Sequence, residues 1–586
     1  MFKYRYYILW WTATLLAFLC FDIFFCLSTS FKPFEFKVIY PTLIACATLF
    51  SLPAAISVKS RWQIIVLSII SVLFEANLMY CRTYSSHIPL ECYTMASNLK
   101  EFGGSVIDSM RWYDISFPAI IIVSSILSMR MKVRRRPSVK VYLAILLVFS
   151  AISYGLILSR GGFRQRMAYL YNEVELQHTP APVYSVFACI AYEWMTRDAE
   201  MTEAEKTQNS EWMKWHKTAT DSYAGTCSIR EQSLDRPNVV IILCESLESW
   251  PIGLTLEGKE ITPFLNSLVA DSTVYYNPNV ITQVRAGRSI DGQLLMIAGQ
   301  YPMLSAVYSG KYTGNTYHTI PKAIKERGAR SIFITSDHPT TWNQGAVARA
   351  FGTDTLICHD DFDLNASGAL MPADNSLSDQ ALFSQSVKML DDGKLWPENE
   401  QVFLMLVTHS GHNPFTIPES MDSLKLTGKY PEILKNYLTA ANYTDRSMKI
   451  FVDYLRSRPD WKNTILVITG DHEGLASYRE GLAGSYSFVS DKQITPLIIT
   501  NAPQSGIDST FIGQIDVYSA ILDAAGEYGT YLWRGMGISP FSPDHPRFAI
   551  GSNGSEAGPA PADSTMLRKL REAPAISDRL IRHRIL

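Results

Sequence analysis

The chain has 586 residues, enough for more than one domain, and its 53 Lys and Arg nearly balance 55 Asp and Glu, leaving a net charge of −2. A near-neutral chain carries no global field for nucleic acid, and none is expected as a partner. The mean hydropathy of +0.03 averages two unlike parts: long apolar runs up to residue 160, then an ordinary soluble composition, as in a membrane anchor joined to a globular head.

Five segments are long and apolar enough to span, given that a spanning helix needs about 20 apolar residues. They are Tyr6–Leu27, Val38–Val58, Trp62–Cys81, Trp112–Met131 and Val141–Ser159. The first is too long and aromatic for the core of a signal peptide. Lys3 and Arg5, then Lys59 and Arg61, then the run from Arg130 to Lys140 fall in alternate loops. Basic loops stay cytoplasmic, so the chain is expected in the cytoplasmic membrane, multi-pass, with its amino terminus inside and everything after residue 160 outside. Asp22 and Glu75 sit within spans and mark a candidate lipid head-group route or an interfacial pairing. The nine cysteines form no CxxC pair and read as small hydrophobes, with a disulfide among Cys227, Cys244 and Cys358 left open.

Residues 1–160 are thus expected to be the membrane domain and 161–235 a helical linker. Trp212 and Trp215 fit that linker either to the membrane face or to the head. Residues 236–550 are expected to be the catalytic domain, and 551–586 a loop and basic tail. The outer part alternates short β-branched runs with helical patterns, as α/β folds do. Asn238–Leu243 ends in Cys-Glu-Ser, Ser331–Thr335 in Ser-Asp-His, Val402–Val407 in Thr-His-Ser-Gly-His, and Thr464–Thr469 in Gly-Asp-His. In doubly wound sheets ligands bind at the carboxyl edge of the strands, so four such endings predict one converging site.

Asp471 and His472 after one strand, with Glu245 after another, supply mixed oxygen and nitrogen ligands. That set suits one divalent metal, Mn²⁺ first, with Zn²⁺ or Mg²⁺ as alternatives. A metal beside a hydroxyl creates a nucleophile. Ser289, in Arg285-Ala-Gly-Arg-Ser-Ile-Asp-Gly-Gln293, is the candidate, because Gly287 permits a sharp approach and the following residues look helical. Thr282 and Thr273 are its rivals, and an N-cap role is the structural alternative. Arg288 would steady developing phosphate charge or face solvent.

Four strings in order, Asn238-Val-Val-Ile-Ile-Leu-Cys-Glu-Ser246, Gly287-Arg-Ser-Ile-Asp291, His412-Asn-Pro-Phe415 and Thr469-Gly-Asp-His472, resemble the motifs of lipoteichoic acid synthase-type enzymes. These belong to the alkaline phosphatase/sulfatase superfamily. Thr495-Pro-Leu-Ile-Ile499 followed by Gln514-Ile-Asp-Val517 resembles its carboxyl-terminal pattern. The resemblance covers nearly the whole chain and implies a five-helix transmembrane bundle plus an extracytoplasmic, doubly wound α/β domain. It implies Glu245, Asp471 and His472 as metal ligands, and Ser289, where the family commonly has Thr, as nucleophile and fourth ligand. His412 matches a residue contacting the substrate phosphate, with His409 competing. Trp342 and Asp337 match head-group contacts, and Asp379 a recurrent acid. Gln344 stands where the family often has Arg, and Thr335 where a His is expected, with His338 as a possible substitute.

The resemblance implies a phosphotransferase. It would move phosphoglycerol or phosphoethanolamine from an outer-leaflet phospholipid, through a phospho-serine, to an envelope glycan or lipid. A sulfatase-like hydrolase and an inactive envelope scaffold are the alternatives. A formylglycine-type C/S-x-P-x-R motif is absent after Ser289. Oligomeric state is not legible.

Overall fold

The computed structural model describes residues 4–28, 39–84, 109–131, 135–158 and 200–586, with a few single positions between these stretches and less 228–233, 235, 305, 372–375, 394, 398–399, 476–477 and 528–529. The chain divides into two compact units, one holding the described residues up to Trp194 and the other running from Glu200 to Leu586. Of the expected linker, 161–235, the part up to residue 199 lies almost wholly outside the described residues.

The first unit is helical: α1 (Arg5–Leu27), α2 (Ile39–Phe50), α3 (Leu52–Ile56), α4 (Ser60–Tyr84), α5 (Ser116–Met129) and α6 (Val139–Leu158). Its core is aromatic, with Trp10, Phe18, Phe21, Phe74 and Phe117 buried together and Phe21 stacked on Phe74 at 4.4 Å. Among the described residues four helices are long and apolar enough to cross a membrane: Arg5–Phe25, Ser60–Arg82, Trp112–Met129 and Val139–Leu156. Four of the five expected spans are these helices; the other, Val38–Val58, is apolar along its length but is not one helix. It breaks into α2 and α3 at Ser51, where Pro53 occupies the first turn of α3, lacks an amide hydrogen and cannot continue the preceding helix. Asp22 is buried on α1. A pairing not foreseen joins Arg82 to Asp114, both buried, through two hydrogen bonds of 2.7 and 2.8 Å.

The second unit is built on a nine-stranded mixed sheet. Its strands in chain order are β1 (Asn238–Cys244), β2 (Tyr275–Ile281), β3 (Arg330–Thr335), β4 (Thr355–Ile357), β5 (Val402–Val407), β6 (Thr464–Gly470), β7 (Ile494–Ile499), β8 (Gly506–Ile507) and β9 (Ile512–Gly513). Across the sheet the order is β8-β2-β7-β6-β1-β5-β3-β4, with β9 also on β2. The central block β6-β1-β5-β3-β4 is parallel. β7 runs antiparallel to both its neighbours, which makes β2 point the same way as the central block. β1, β5 and β6 are buried along their whole length, which is why they read as continuous apolar runs rather than alternating ones. Val240 and Ile242 of β1 pack in one cluster with Phe383 and Leu390 of a helix over Asp379–Asp391 and with Met448 and Phe451 of a long helix over Glu432–Ser457. Strand alternation turns the equally buried Ile241 and Leu243 to the opposite face.

The second half of the expected helical linker and the basic tail are parts of this unit. α7 (Glu203–Cys227) buries Trp212, whose indole N–H donates to the Lys569 carbonyl at 2.9 Å. The tail forms a helix over Ser564–Arg582. It is docked by Arg579 on Gln208 and Asn209, and by the Asp578 carboxylate on the Leu304 amide.

Candidate active site

The carboxyl ends of β1, β2, β3, β5 and β6 open on one edge of the sheet, and each releases a polar residue there. Glu245 follows β1, Asp471 and His472 follow β6, and His409 and His412 follow β5. Ser289 opens a helix over Ser289–Ala298 that follows β2. Its hydroxyl donates to Glu245 Oε2 at 2.9 Å and lies 3.2 Å from His472 Nε2. His472 Nε2 in turn lies 3.3 Å from Glu245 Oε1 and 3.6 Å from Asp471 Oδ2. Glu245, Asp471 and His472 are buried and Ser289 is half-buried, so the hydroxyl alone of the four is presented outward.

Local backbone geometry makes this possible. Ser246, after Glu245, and Arg288, before Ser289, both have positive φ, 58° and 47°. Such conformations cost a non-glycine residue on the order of 1–3 kcal/mol and persist only where surrounding bonds enforce them. Here Asp291 enforces the second: its Oδ2 accepts from the amides of Arg285 and Gly287, both at 2.9 Å. Asp471 Oδ1 supports the first by accepting from the Ser246 amide at 2.8 Å. Gly292 lets the serine helix approach the strand end, since a Cβ there would stand 2.7 Å from the Asp471 carbonyl oxygen.

The electrostatics describe a centre rich in negative charge. Burial, then the Glu245 charge, push the Asp471 carboxyl up to about 7. Glu245 is held well below its usual range: burial opposes its charge, but His472 outweighs it. Burial works against a His472 cation, yet the Asp471 and Glu245 charges lift it to about 9. Asp471 Oδ2 is buried and receives no hydrogen bond among the described residues. An orphaned carboxylate oxygen beside a second carboxylate and an imidazole fits a divalent cation. Glu245, Asp471 and His472 all place a ligand atom within 4.8 Å of one another, and Ser289 Oγ completes the set.

Around this centre the remaining predicted residues divide. Arg288 does not face solvent: Nη1 donates to Glu473 Oε1 at 2.5 Å and Nη2 to the Glu473 carbonyl at 2.8 Å, a carbonyl that His472 Nδ1 also meets at 2.8 Å, 3.1 Å from Nη2. His409 and His412 stack nearly parallel, 5.3 Å between rings, and His409 Nδ1 lies 3.4 Å from Asp337 Oδ1. Burial holds His412 below its ordinary range. Trp342 stands on the same β3 exit loop as Asp337, half-buried, in a turn where it and Asn343 both have positive φ. His338 pairs instead with Asp360, at 3.3 Å, and packs on His359. Of the rival nucleophiles, Thr273 bonds Asp271 at 2.7 Å and Thr282 is buried just past β2.

The roles of several supporting residues were not legible in the sequence. Ser246 and Asp291 end two of the quoted motifs and Glu473 follows a third, and that position is their signal. Asp379 is fully buried; Oδ1 accepts from the His409 and Ser410 amides, both at 2.9 Å, and Oδ2 from the Thr444 hydroxyl at 2.6 Å. It therefore positions the histidine loop. Gln344 is buried against Gln293 through reciprocal amide bonds of 3.1 and 2.9 Å, so it braces the serine helix.

Comparison with known proteins bears on the same elements. Residues 237–527 match the sulfatase family model and residues 2–180 the lipoteichoic acid synthase N-terminal domain model. The lipoteichoic acid synthase 1 of Bacillus subtilis is 24% identical over 536 residues, 88% of this chain and 81% of the relative. That of Staphylococcus saprophyticus is 24% identical over 510 residues, 83% and 76%. Among solved structures, the lipoteichoic acid synthase LtaP of Listeria monocytogenes aligns with a TM-score of 0.50 at 17% identity, covering 60% of this chain and 93% of that one. The integral membrane lipooligosaccharide phosphoethanolamine transferase A of Neisseria meningitidis aligns with a TM-score of 0.53 at 12% identity, covering 91% and 98%. With its apolar helices this is a membrane protein, and the chain belongs to the lipoteichoic acid synthase-type phosphotransferases of the alkaline phosphatase/sulfatase superfamily.

Proposed function

We propose that this enzyme transfers a phospho-head group, phosphoglycerol or phosphoethanolamine, from a membrane phospholipid to an envelope glycan or lipid through a phospho-serine at Ser289. The observation that carries the reading is the placement of the half-buried Ser289 hydroxyl 2.9 Å from one buried carboxylate and beside a second whose Oδ2 is orphaned. Basic residues gathered in alternate loops, which share one side when all five apolar segments cross, support a head domain outside the cytoplasmic membrane, beside outer-leaflet lipid.

Glu245, Asp471, His472 and Ser289 would hold one divalent cation, for which the mixed donor set favours Mn²⁺, then Zn²⁺. When bound, that cation lowers the hydroxyl pKa and offsets charge on the phosphoryl oxygens. Glu245 Oε2 is placed to accept the Ser289 proton. The Ser289 oxygen then attacks phosphorus, the bond to the diacylglycerol oxygen breaks, and the head group stays on the serine. His412, with His409 stacked on it, contacts the phosphate and, in its protonated form, donates its own proton to the leaving oxygen. Asp337 and Trp342, on the β3 exit loop, meet the head group. Arg288 keeps His472 in place through Glu473. In the second step an acceptor hydroxyl gives its proton to His412 and attacks the same phosphorus, the bond to the Ser289 oxygen breaks, and Glu245 returns the proton to Ser289.

The test is lipid turnover by the full-length protein in phospholipid vesicles. Ser289→Ala should release diacylglycerol at least 10³-fold more slowly than wild type, while a near-normal rate would remove Ser289 as nucleophile.

A further inference from the structure

We infer that the protein has a second divalent-cation site of the zinc type, formed by His338, His359 and Asp360 on the exit loops of β3 and β4. It is a separate set of ligands from the Ser289 centre.

Among the described residues only two groups of His, Cys, Asp or Glu gather in ligand geometry, and this is the one outside the serine centre. His338 Nδ1 lies 3.3 Å from Asp360 Oδ1, and His359 Nδ1 lies 3.1 Å from the same oxygen. The two rings sit 4.1 Å apart, tilted by 40°. Ligands about 2.0–2.1 Å from a tetrahedral ion stand roughly 3.3 Å from one another, so these separations match the edges of such a site. Two imidazoles and one carboxylate form a borderline donor set. It suits Zn²⁺ and is too nitrogen-rich for Mg²⁺ or Ca²⁺.

The arrangement is set before any ion arrives. His359–Asp361 is a single 3₁₀ turn. Asp361 closes it by accepting the Cys358 amide at 2.9 Å and its thiol at 3.3 Å. Asp361 is thereby committed to the backbone, Cys358 is tied back to it, and Asp360 is left for the two histidines. The His359 amide donates to the Asp337 carbonyl at 3.1 Å, which locks the two loops in register. The side chain of Asp360 is 68% exposed and that of His338 36%. Without an ion the His359 and Asp360 side chains share a hydrogen bond, and a bound ion would replace its proton. Three protein ligands leave a position for water or an anion, as in zinc sites that exchange ligands. Because Asp337 joins the cluster through its carbonyl and faces His409 through its carboxylate, an ion here would stiffen the loop carrying Asp337 and Trp342.

The experiment is zinc counting. Full-length detergent-purified protein is stripped with chelator, dialysed to equilibrium against buffered Zn²⁺ and analysed for metal by mass spectrometry. Wild type should bind two equivalents. His338→Asn/Asp360→Asn, on a partly exposed loop, should bind one and lose the zinc-dependent rise in melting temperature assigned to the second ion. Glu245→Gln/Asp471→Asn should also bind one, with an X-ray absorption spectrum of two imidazoles and no sulfur. Equal stoichiometry in wild type and His338→Asn/Asp360→Asn overturns the site, whether that number is one or two. So does a sulfur shell at about 2.3 Å, which would mean a thiol holds the ion.

Discussion

The Ser289 hydroxyl donates to Glu245 Oε2 across 2.9 Å, joining the end of one strand to the start of a helix that follows another. The serine hydroxyl thus meets a carboxylate at 2.9 Å and His472 Nε2 at 3.2 Å. Glu245→Gln keeps the shape and removes the charge. It should reduce turnover by at least 10²-fold and lower bound metal at the serine centre, with folding unchanged by circular dichroism. Asp471→Asn should do the same.

Arg288 and Glu473 form an ion pair that is 14% and 4% exposed at its side chains. Removing one partner of a buried pair strands the other, at a cost of about 3–5 kcal/mol. Arg288→Ala should therefore lower the melting temperature as well as turnover. Arg288→Lys should recover less than half of either, because a point charge cannot make the three contacts of the guanidinium.

Burial alone would raise the Glu473 carboxyl, but Arg288 and then His472 bring it to about 2 from an ordinary 4.5. A carboxyl whose folded pKa is depressed stabilises the fold above its unfolded pKa and loses that contribution as pH falls through the folded one. Denaturation followed from pH 5 to pH 2 should show this loss, and Glu473→Gln should flatten that limb while lowering stability at neutral pH.

Asp379 holds the histidine loop by the His409 and Ser410 amides. Asp379→Ala leaves both amides without acceptors in the interior and should cost about 2–4 kcal/mol. Its kinetic signature should be a fall in kcat larger than any rise in KM, since His412 is misplaced without being removed. Thr444→Val, which takes one donor from Asp379, should give the same signature at about 1 kcal/mol.

Gln344 and Gln293 satisfy each other. Gln344→Met should cost about 1–3 kcal/mol by orphaning the Gln293 amide, and Gln293→Met/Gln344→Met should recover most of it. Head-group preference should be unchanged in the double variant if Gln344 only braces the helix.

The site's skeleton was legible because β1, β3, β5 and β6 are buried parallel strands. Their apolar runs stop where the sheet ends, so Glu245, Asp337, His409 and Asp471 could be read as edge residues before any strand order was known. Ser289 needed the family motif, since nothing local separates a nucleophile from an N-cap. What could not be read depends on partners distant in sequence: Arg288 meets Glu473 across 185 residues and Gln293 meets Gln344 across 51. Gln344 looked like a pocket position that had lost its Arg, and it is a buried brace. Asp22 was noticed as an acid within a span, whereas the buried pair is Arg82 with Asp114. The broken second helix followed from Pro53, whose effect the continuous hydropathy concealed.

The most direct measurement is of the intermediate itself. Full-length protein mixed with phospholipid vesicles, without acceptor, is quenched in acid, digested and analysed by tandem mass spectrometry. The account predicts a head-group phosphate on the peptide containing Ser289, absent from Ser289→Ala and discharged when acceptor is added before the quench. An adduct on Thr282 or Thr273, or turnover in which no adduct accumulates and Ser289→Ala is as fast as wild type, would contradict it.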